Sequence, residues 1–215
     1  MSWRIERISQ PSVEPVTLAD AKLYLRVEIT DDDALISSLI TAARCLIEER
    51  IGVSLITQTW ILYHDTTPMG GGYYNRLIRQ QGPGPGWLPS FAGSIVLPRP
   101  PIQEVLAVQY WDRSLTLQSM GLDALQVSLG TPGRVQPKFG TIWPVIAPQN
   151  DAIQITYKAG FGDTADAVPE QAKLAMKLLI GDWYLQREAT APGSLTELPF
   201  AVSALLASIS PGSYT

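Results

Sequence analysis

The chain has 215 residues, of which 46% are hydrophobic and only 17% are charged, and its formal net charge is −4. This length lies near the upper end of a single domain, which is enough to bury a core. Phosphate contacts require clustered Lys and Arg, so the acidic balance argues against a dominant nucleic-acid-binding face. A charge-poor exterior is tolerated when partners cover part of it, which favours an oligomer.

Cysteine content and hydropathy predict the cellular context. Cys45 is the only cysteine, so the chain can form no intramolecular disulfide. The first residues lack the apolar segment of a signal peptide. No stretch approaches the roughly 18 consecutive apolar residues that span a bilayer. These features predict a soluble protein made inside the cell, without a membrane partner.

Two helices are predicted after an N-terminal arm over residues 1–14. Thr17 is a good N-cap and Asp20 follows at the capping-box position, which predicts a helix over 18–26. Asp31–Asp33 then open a second, longer helix through capping and the macrodipole, and Gly52 ends it. The apolar face predicted for this helix consists of Leu35, Ile36, Leu39, Ile40, Ala43, Leu46 and Ile47.

The segment 54–158 is predicted to be rich in strands. Its runs of β-branched and aromatic residues cover 57–64, 94–97, 105–111, 122–129 and 152–158, with a short edge strand over 134–137. These runs do not alternate with helices, so the sheet should be antiparallel or mixed. The predicted class is α+β, a helical body with an inserted sheet, in one domain over 1–215.

The stretch 68–93 differs from the rest of this segment. It contains three consecutive glycines and an alternating Gly-Pro run, lacks acidic residues and has several aromatic ones. Its glycines make ordering costly, yet it is too aromatic for an inert linker. We expect a long loop that orders against a partner through Tyr73, Tyr74, Arg76, Arg79, Trp87 and Phe91.

The C-terminal part predicts two further helices. Pro169 suits the first turn of a helix over 169–188, which has a broad apolar face. After a break at Pro192-Gly193, residues 198–209 are apolar and almost uncharged. This helix and tail, residues 195–215, can either fold back onto the core or contact a partner.

No catalytic, metal or cofactor site is predicted. His64 is the only histidine and ends a strand, so a structural role is expected. Cys45 lies beside Leu46 and is expected to be an inert core thiol. Gly160-x-Gly162 and the three glycines from Gly70 lack the Gly-Lys-Ser/Thr of a phosphate-binding loop.

Two alternatives stay open from the residues. A cell-wall hydrolase would need two carboxylates at a cleft, but Glu48 and Glu49 are adjacent on a helix, and Asp163 and Asp166 lie in a turn. A sugar-binding tail accessory protein would use exposed Tyr and Trp side chains.

An ordered series of motifs resembles the head–tail connector (adaptor) proteins of long-tailed bacteriophages and gene transfer agents. The series consists of Pro15-Val-Thr-Leu-Ala-Asp-Ala-Lys-x-x-Leu-Arg26, Asp31-Asp-Asp-Ala-Leu-Ile36, Leu55-Ile-Thr-Gln-Thr-Trp60, Leu97-Pro-Arg-Pro-Pro-Ile102, Ile155-Thr-Tyr-Lys-Ala-Gly-Phe-Gly162, Val168-Pro-Glu and Leu198-Pro-Phe-Ala-Val-Ser-Ala-Leu-Leu206. The stretch 68–93 is longer and richer in glycine than the resemblance implies.

The resemblance implies a structural protein of the virion neck that is made in the cytoplasm of a bacterial host and has no catalytic activity. It implies a twelve-subunit ring that docks on the portal protein, with a stopper or tail-terminator protein below. Double-stranded DNA would pass through the ring without sequence-specific binding, for which an acidic wall is suited.

Three contact surfaces are expected from this assembly. The helices at 32–51 and 169–188 would form the body and part of the contact with neighbouring subunits. The stretch 68–93 would touch a neighbour or the tailward protein. The C-terminal helix and tail would embrace the portal through Phe200, Leu205, Leu206, Ile209 and Tyr214.

Overall fold

The computed structural model of the chain describes residues 3–65, 93–185 and 200–210. The chain divides into two compact units. The β-unit comprises Met1–Ser9 and Thr59–Lys158, and the helical unit comprises Gln10–Gln58 and Ala159–Thr215. The predicted α+β class is confirmed, whereas the predicted single domain stays a prediction.

The described residues of the β-unit form two sheets. The five-stranded sheet has the order β1-β2-β8-β4-β5, and the three-stranded sheet has the order β3-β7-β6. The antiparallel pairs include β1 with β2, which joins Trp3 to His64 and Arg7 to Trp60, and β7 with both of its neighbours. The strands are β1 Trp3–Arg7, β2 Gln58–His64, β3 Ile95–Leu97, β4 Ile102–Trp111, β5 Leu117–Met120, β6 Leu125–Ser128, β7 Gly133–Pro137 and β8 Ile153–Ala159.

Alternating burial explains why β2 and β8 form strands. In both, every second residue is buried, so one face of each strand packs into the core. Gly133 lets β7 pass close to Ile102, because an added Cβ would lie 2.2 Å from the Cγ1 atom of Ile102. The buried apolar residues of the unit include Trp60, Leu62, Ile95, Leu97, Val108, Val135, Ile153, Ile155 and Tyr157.

The helical unit contains α1 Leu18–Leu25, α2 Asp33–Ile51, α3 Glu170–Leu185 and α4 Phe200–Ala207. Thr17 caps α1, because its hydroxyl oxygen accepts a hydrogen bond from the backbone N–H of Asp20 at 3.1 Å. Gly52 ends α2 in the left-handed conformation, with a φ of 67°. The predicted start of α1 and the predicted end of α2 are therefore confirmed.

The described helices of this unit share one hydrophobic core. Helices α2 and α3 pack together at its centre. They are covered by α1, by α4 and by the segment after α2. Its buried members are Val16, Ala21, Ile36, Ile40, Ala43, Ile47, Val53, Leu55, Ile56, Val168, Ala172, Ala175, Met176, Leu179, Ile180, Val202 and Leu206.

Three sequence predictions about the fold were wrong in detail. Leu35 and Leu46, which were predicted to lie on the apolar face of α2, are exposed, while Arg44 and Glu48, which were not, are buried. Residues 122–129 begin with a 3₁₀ turn, so their strand is confined to β6. Strand β5 was not predicted, because its Leu-Gln-Ser-Met sequence has little β-propensity. It forms a strand because the preceding turn brings it alongside β4, with which it pairs.

Candidate interaction surfaces

The only histidine and the only cysteine of the sequence lie on different elements, a strand and a helix. His64 ends β2 and is only 8% exposed. Among the described residues, no group of three or more His, Cys, Asp or Glu is placed to hold a metal ion. The prediction of a buried Cys45 was wrong, since its thiol is exposed on α2. Because helical periodicity brings Ala43 and Ile47 to the core, Cys45 points away from it.

Glu48 belongs to a buried polar network in the helical unit. Its carboxylate accepts hydrogen bonds from Arg44 Nη1 at 3.0 Å, Leu55 N at 2.9 Å and Gln58 Nε2 at 2.7 Å. Arg44 also donates to Glu14 at 2.7 Å through Nε. Burial alone would lower the pKa of Arg44, but Glu14 and Glu48 outweigh it and raise that pKa. Glu48 is therefore engaged in holding the fold and is closed off from a substrate.

The Gly160-x-Gly162 motif serves backbone packing. Gly160 has a φ of 145°, and a Cβ there would lie 2.6 Å from backbone atoms of Ile56 and Thr57. Phe161 N donates to Leu55 O at 3.2 Å, and Thr57 N donates to Gly162 O at 3.0 Å. The glycines thus allow two backbone segments of the helical unit to pass in contact, which explains them without a phosphate ligand.

The acidic start of α2 is held by partners on other helices. Lys22 Nζ lies 2.6 Å from Asp33 Oδ1. The Tyr184 hydroxyl donates to Asp32. Asp32 occupies the N-cap position without capping the backbone with its side chain, so that part of the prediction was wrong. These contacts tie α2 to α1 and α3.

Basic side chains at the edge of the five-stranded sheet are engaged with acids and aromatic rings. Arg4 forms an ion pair with Asp151 at 2.7 Å and stacks 3.7 Å from the ring centre of Tyr63. The hydrogen bond to Asp151 raises the pKa of Arg4. Arg7 and Arg99 both lie over the indole of Trp60, at 5.5 and 5.6 Å. Such contacts engage these three arginines within the β-unit.

An apolar pocket opens in the helical unit where α1, α3 and α4 meet. Its volume is about 590 Å³, within the range of sites that hold an organic group. One acidic residue, Asp182, stands among mainly apolar neighbours. The lining residues are Tyr24, Leu25, Leu178, Gly181, Asp182, Tyr184, Leu185 and Ala201.

The C-terminal helix α4 folds back onto the helical core. Leu206 is 3% exposed, and Leu205 and Ile209 pack against the core cluster. Phe200, at the start of the helix, is 88% exposed. Of the described residues predicted to touch a portal, Phe200 is therefore the one that presents its side chain fully to a partner.

A surface that the sequence analysis missed is the loop between β7 and β8. Phe139 is fully exposed in it, Ile142 is 82% exposed and Val145 is 60% exposed. Trp143, between them, is buried and its Nε1 donates to Gly93 O at 2.6 Å. The signal in the sequence is a large apolar residue at every third position of a segment with no strand or helix pattern.

The remaining predicted contact residues lie outside the described residues. They are Tyr73, Tyr74, Arg76, Arg79, Trp87, Phe91 and Tyr214. Within the described parts of the chain, none of the helices has the length and apolar character to cross a bilayer.

Comparison with known proteins finds a family model that matches part of the chain and solved structures that share its fold. Residues 15–96 match the family model described as "Phage gp6-like head-tail connector protein". This match confirms the resemblance to head–tail connector proteins drawn from the sequence. No curated protein matches the chain significantly.

Solved structures with the same fold come from gene transfer agent (GTA) particles. A chain of the "Virion of native gene transfer agent (GTA) particle" is 20% identical, with a TM-score of 0.71 over 95% of this chain and 93% of that one. A chain of the "Neck of empty GTA particle computed with C6 symmetry" is 19% identical, with a TM-score of 0.70 over 95% and 94%. A chain of the "Neck of native GTA particle computed with C12 symmetry" is 19% identical, with a TM-score of 0.69 over 95% and 93%.

Proposed function

We propose that this relative of the phage gp6-like head–tail connector proteins is a structural subunit of the neck of a phage-like particle. It connects the DNA-filled head to the tail and catalyses no reaction. The observation that carries the proposal is the agreement of two comparisons, one of sequence over residues 15–96 and one of fold over 95% of the chain. The engagement of Glu48 in a buried network supports a structural role over hydrolysis.

The connector is a ring of twelve copies. Neck structures computed with C12 and C6 symmetry contain chains of this fold, which supports a ring of this order. The charge-poor composition agrees, since a ring subunit is covered on both sides by its neighbours. The body of each subunit is the helical unit, with α2 and α3 at its centre.

The ring docks on the portal protein through the C-terminal helix and tail. Phe200 leads this contact, because a fully presented aromatic side chain at an interface is a typical source of binding energy. Leu205, Leu206 and Ile209 hold α4 on the helical core and so fix the position of Phe200. Tyr214 extends the contact. The stretch 68–93 touches a neighbouring subunit or the stopper or tail-terminator protein.

The ring surrounds the channel through which DNA passes. By sequence, the helical unit has fourteen acidic and seven basic residues, and its net charge is −7. An acidic wall repels phosphates over roughly 8 Å at physiological salt, so DNA slides without adhering. We therefore place the helical unit, and not the β-unit, at the channel.

The test is cryo-electron microscopy of particles from the producing cell, combined with one substitution in the particle. The chain should form a ring between portal and tail. Phe200→Asp should leave the purified protein folded, because the side chain is exposed, but heads and tails should then accumulate unjoined. Leu115→Asp, which changes another exposed apolar residue, is the matched control and should leave joining unchanged. Absence of the chain from the neck would refute the proposal, and normal joining by Phe200→Asp would refute the portal contact.

A further inference from the structure

The loop over residues 138–147 presents apolar side chains from a fixed backbone. Thr141 N donates to Lys138 O at 2.9 Å, and Lys138 N donates to Ala124 O at 2.9 Å. Ala147 N donates to Trp111 O at 2.8 Å, so both ends of the loop are bonded to neighbouring segments of the β-unit. The buried indole of Trp143 anchors its centre. The exposure of Phe139 and Ile142 is therefore a property of an ordered loop.

Such a loop has the features of an interface anchor. Residues that dominate binding energy are typically large aromatic side chains that project from the surface beside an aliphatic one. Full burial of a Phe side chain contributes about 1.5–3 kcal/mol. A free chain that keeps Phe139 in water forgoes this contribution until a partner covers it.

The pocket of the helical unit fits this anchor in size and chemistry. Its volume of about 590 Å³ can receive the Phe139 ring with Ile142 beside it. Its walls are formed chiefly by apolar residues such as Leu178 and Leu185, and Asp182 stands among them. Lys138 precedes Phe139 in the loop, so a basic group would accompany the ring towards a pocket with an acidic one.

The net charges of the two units favour the same pairing. The β-unit has nine basic and six acidic residues and a net charge of +3, against −7 for the helical unit. A contact between the β-unit of one copy and the helical unit of another brings opposite charges together, whereas helical unit against helical unit would bring like charges together. Anchor and pocket are different surfaces, so copies can follow one another head-to-tail, the type of contact that forms a ring when the rotation closes.

We propose that the loop 138–147 of each copy inserts Phe139 into the α1–α3–α4 pocket of the adjacent copy in the ring. This inference rests on the proposed ring and adds the surfaces that build it. Phe139 is the anchor, Ile142 packs at the rim, and the pocket wall is formed by Leu178, Gly181 and Leu185. Val145 lies on the outer part of the same contact.

Photo-crosslinking within assembled particles tests this contact. Phe139 is replaced by benzoylphenylalanine, which keeps an aromatic group in place, the particles are irradiated, and the linked peptides are identified by mass spectrometry. We expect bands of two or more linked copies, with links to residues 24–25, 178–185 or 201 of a second copy. The same probe at Leu115, on a hairpin turn of the β-unit, is the control and should give no such link.

Other results would overturn the contact. A link from position 139 to the portal, to a tail protein, to the same copy or to another part of a second copy would do so, as would no link at all. Absence of the chain from particles would refute the proposed function instead, and the crosslinking is then carried out on the concentrated purified chain with the same criteria.

A substitution gives a second test of the same contact. Phe139→Asp should weaken association between copies by roughly 10- to 100-fold. Unchanged association would also overturn the contact.

Discussion

Replacement of Glu48 by Ala tests whether the buried network holds the helical unit together. The substitution removes three accepted hydrogen bonds at once, from Arg44, Leu55 N and Gln58. Gln58 keeps a second acceptor, Ile56 O at 3.3 Å, and Arg44 keeps Glu14. The buried N–H of Leu55 donates to Glu48 at 2.9 Å and loses this acceptor in the variant.

The expected loss follows from what remains buried. A buried donor without an acceptor costs about 1–3 kcal/mol. A buried charge left without a partner costs about 3–5 kcal/mol, but Arg44, which is 2% exposed, keeps Glu14, so its share of the loss lies below that range. We therefore expect the two losses together to lower the free energy of unfolding of the helical unit by about 3–5 kcal/mol in Glu48→Ala.

Urea unfolding followed by circular dichroism at the helical signal measures this loss. Glu49→Ala is the matched control, because Glu49 is the next residue of α2 and is exposed. It should change the free energy of unfolding by no more than about 0.5 kcal/mol. If Glu48→Ala loses less than about 1 kcal/mol, or no more than Glu49→Ala does, the network does not have the stabilising role inferred from its geometry.

Four further expectations follow from single residues. Gly160→Ala should lower the free energy of unfolding by about 2 kcal/mol or more, because the added Cβ would collide with the backbone of Ile56 and Thr57. Gly52→Ala is the control in the same urea assay and should lower it by only about 1 kcal/mol, because Gly52 also has a positive φ but open space around it. Arg26→Gly should stabilise by about 0.5–1 kcal/mol, since Arg26 ends α1 at a φ of 57°, and an unchanged or lower midpoint would contradict this. The Thr17 hydroxyl lowers the pKa of Asp20 below its usual 3.8, so ionised Asp20 stabilises the fold fully above pH 3.8 and loses this effect as the pH falls through the lowered pKa. The free energy of unfolding should therefore fall less between about pH 5 and about pH 3 in Asp20→Asn than in the unchanged chain, and an equal fall would contradict this. The Cys45 thiol should react with a thiol reagent in the native chain, and reaction only after denaturation would contradict its exposure.

Local sequence signals predicted the helices because their ends are encoded by single residues. Thr17 with Asp20 set the start of α1, and Gly52 set the end of α2, since a cap acts within one turn of the chain. The β-branched and aromatic residues in 57–64 and 152–158 likewise identified β2 and β8. In these elements, local preference and tertiary packing agree.

The prediction failed where the fold brings together residues distant in the chain. Periodicity placed Leu35 and Leu46 in the core and could not show that Arg44 would be buried there instead. The arginine is buried because Glu14, thirty positions earlier, supplies the carboxylate that compensates its charge. No window along the sequence contains both members of that pair.

The candidate contact surfaces divide in the same way. The C-terminal helix was recognisable because its apolar, nearly uncharged sequence cannot stay in water, but the same property leads Leu206 into the core and leaves Phe200 as the presented side chain. Hydrophobicity therefore identifies a segment that must be covered without telling which of its residues a partner will cover. In the loop at 138–147 the error runs the other way, because its apolar residues look like core residues in the sequence. Only the structure shows that the indole of Trp143 is buried while Phe139 is exposed.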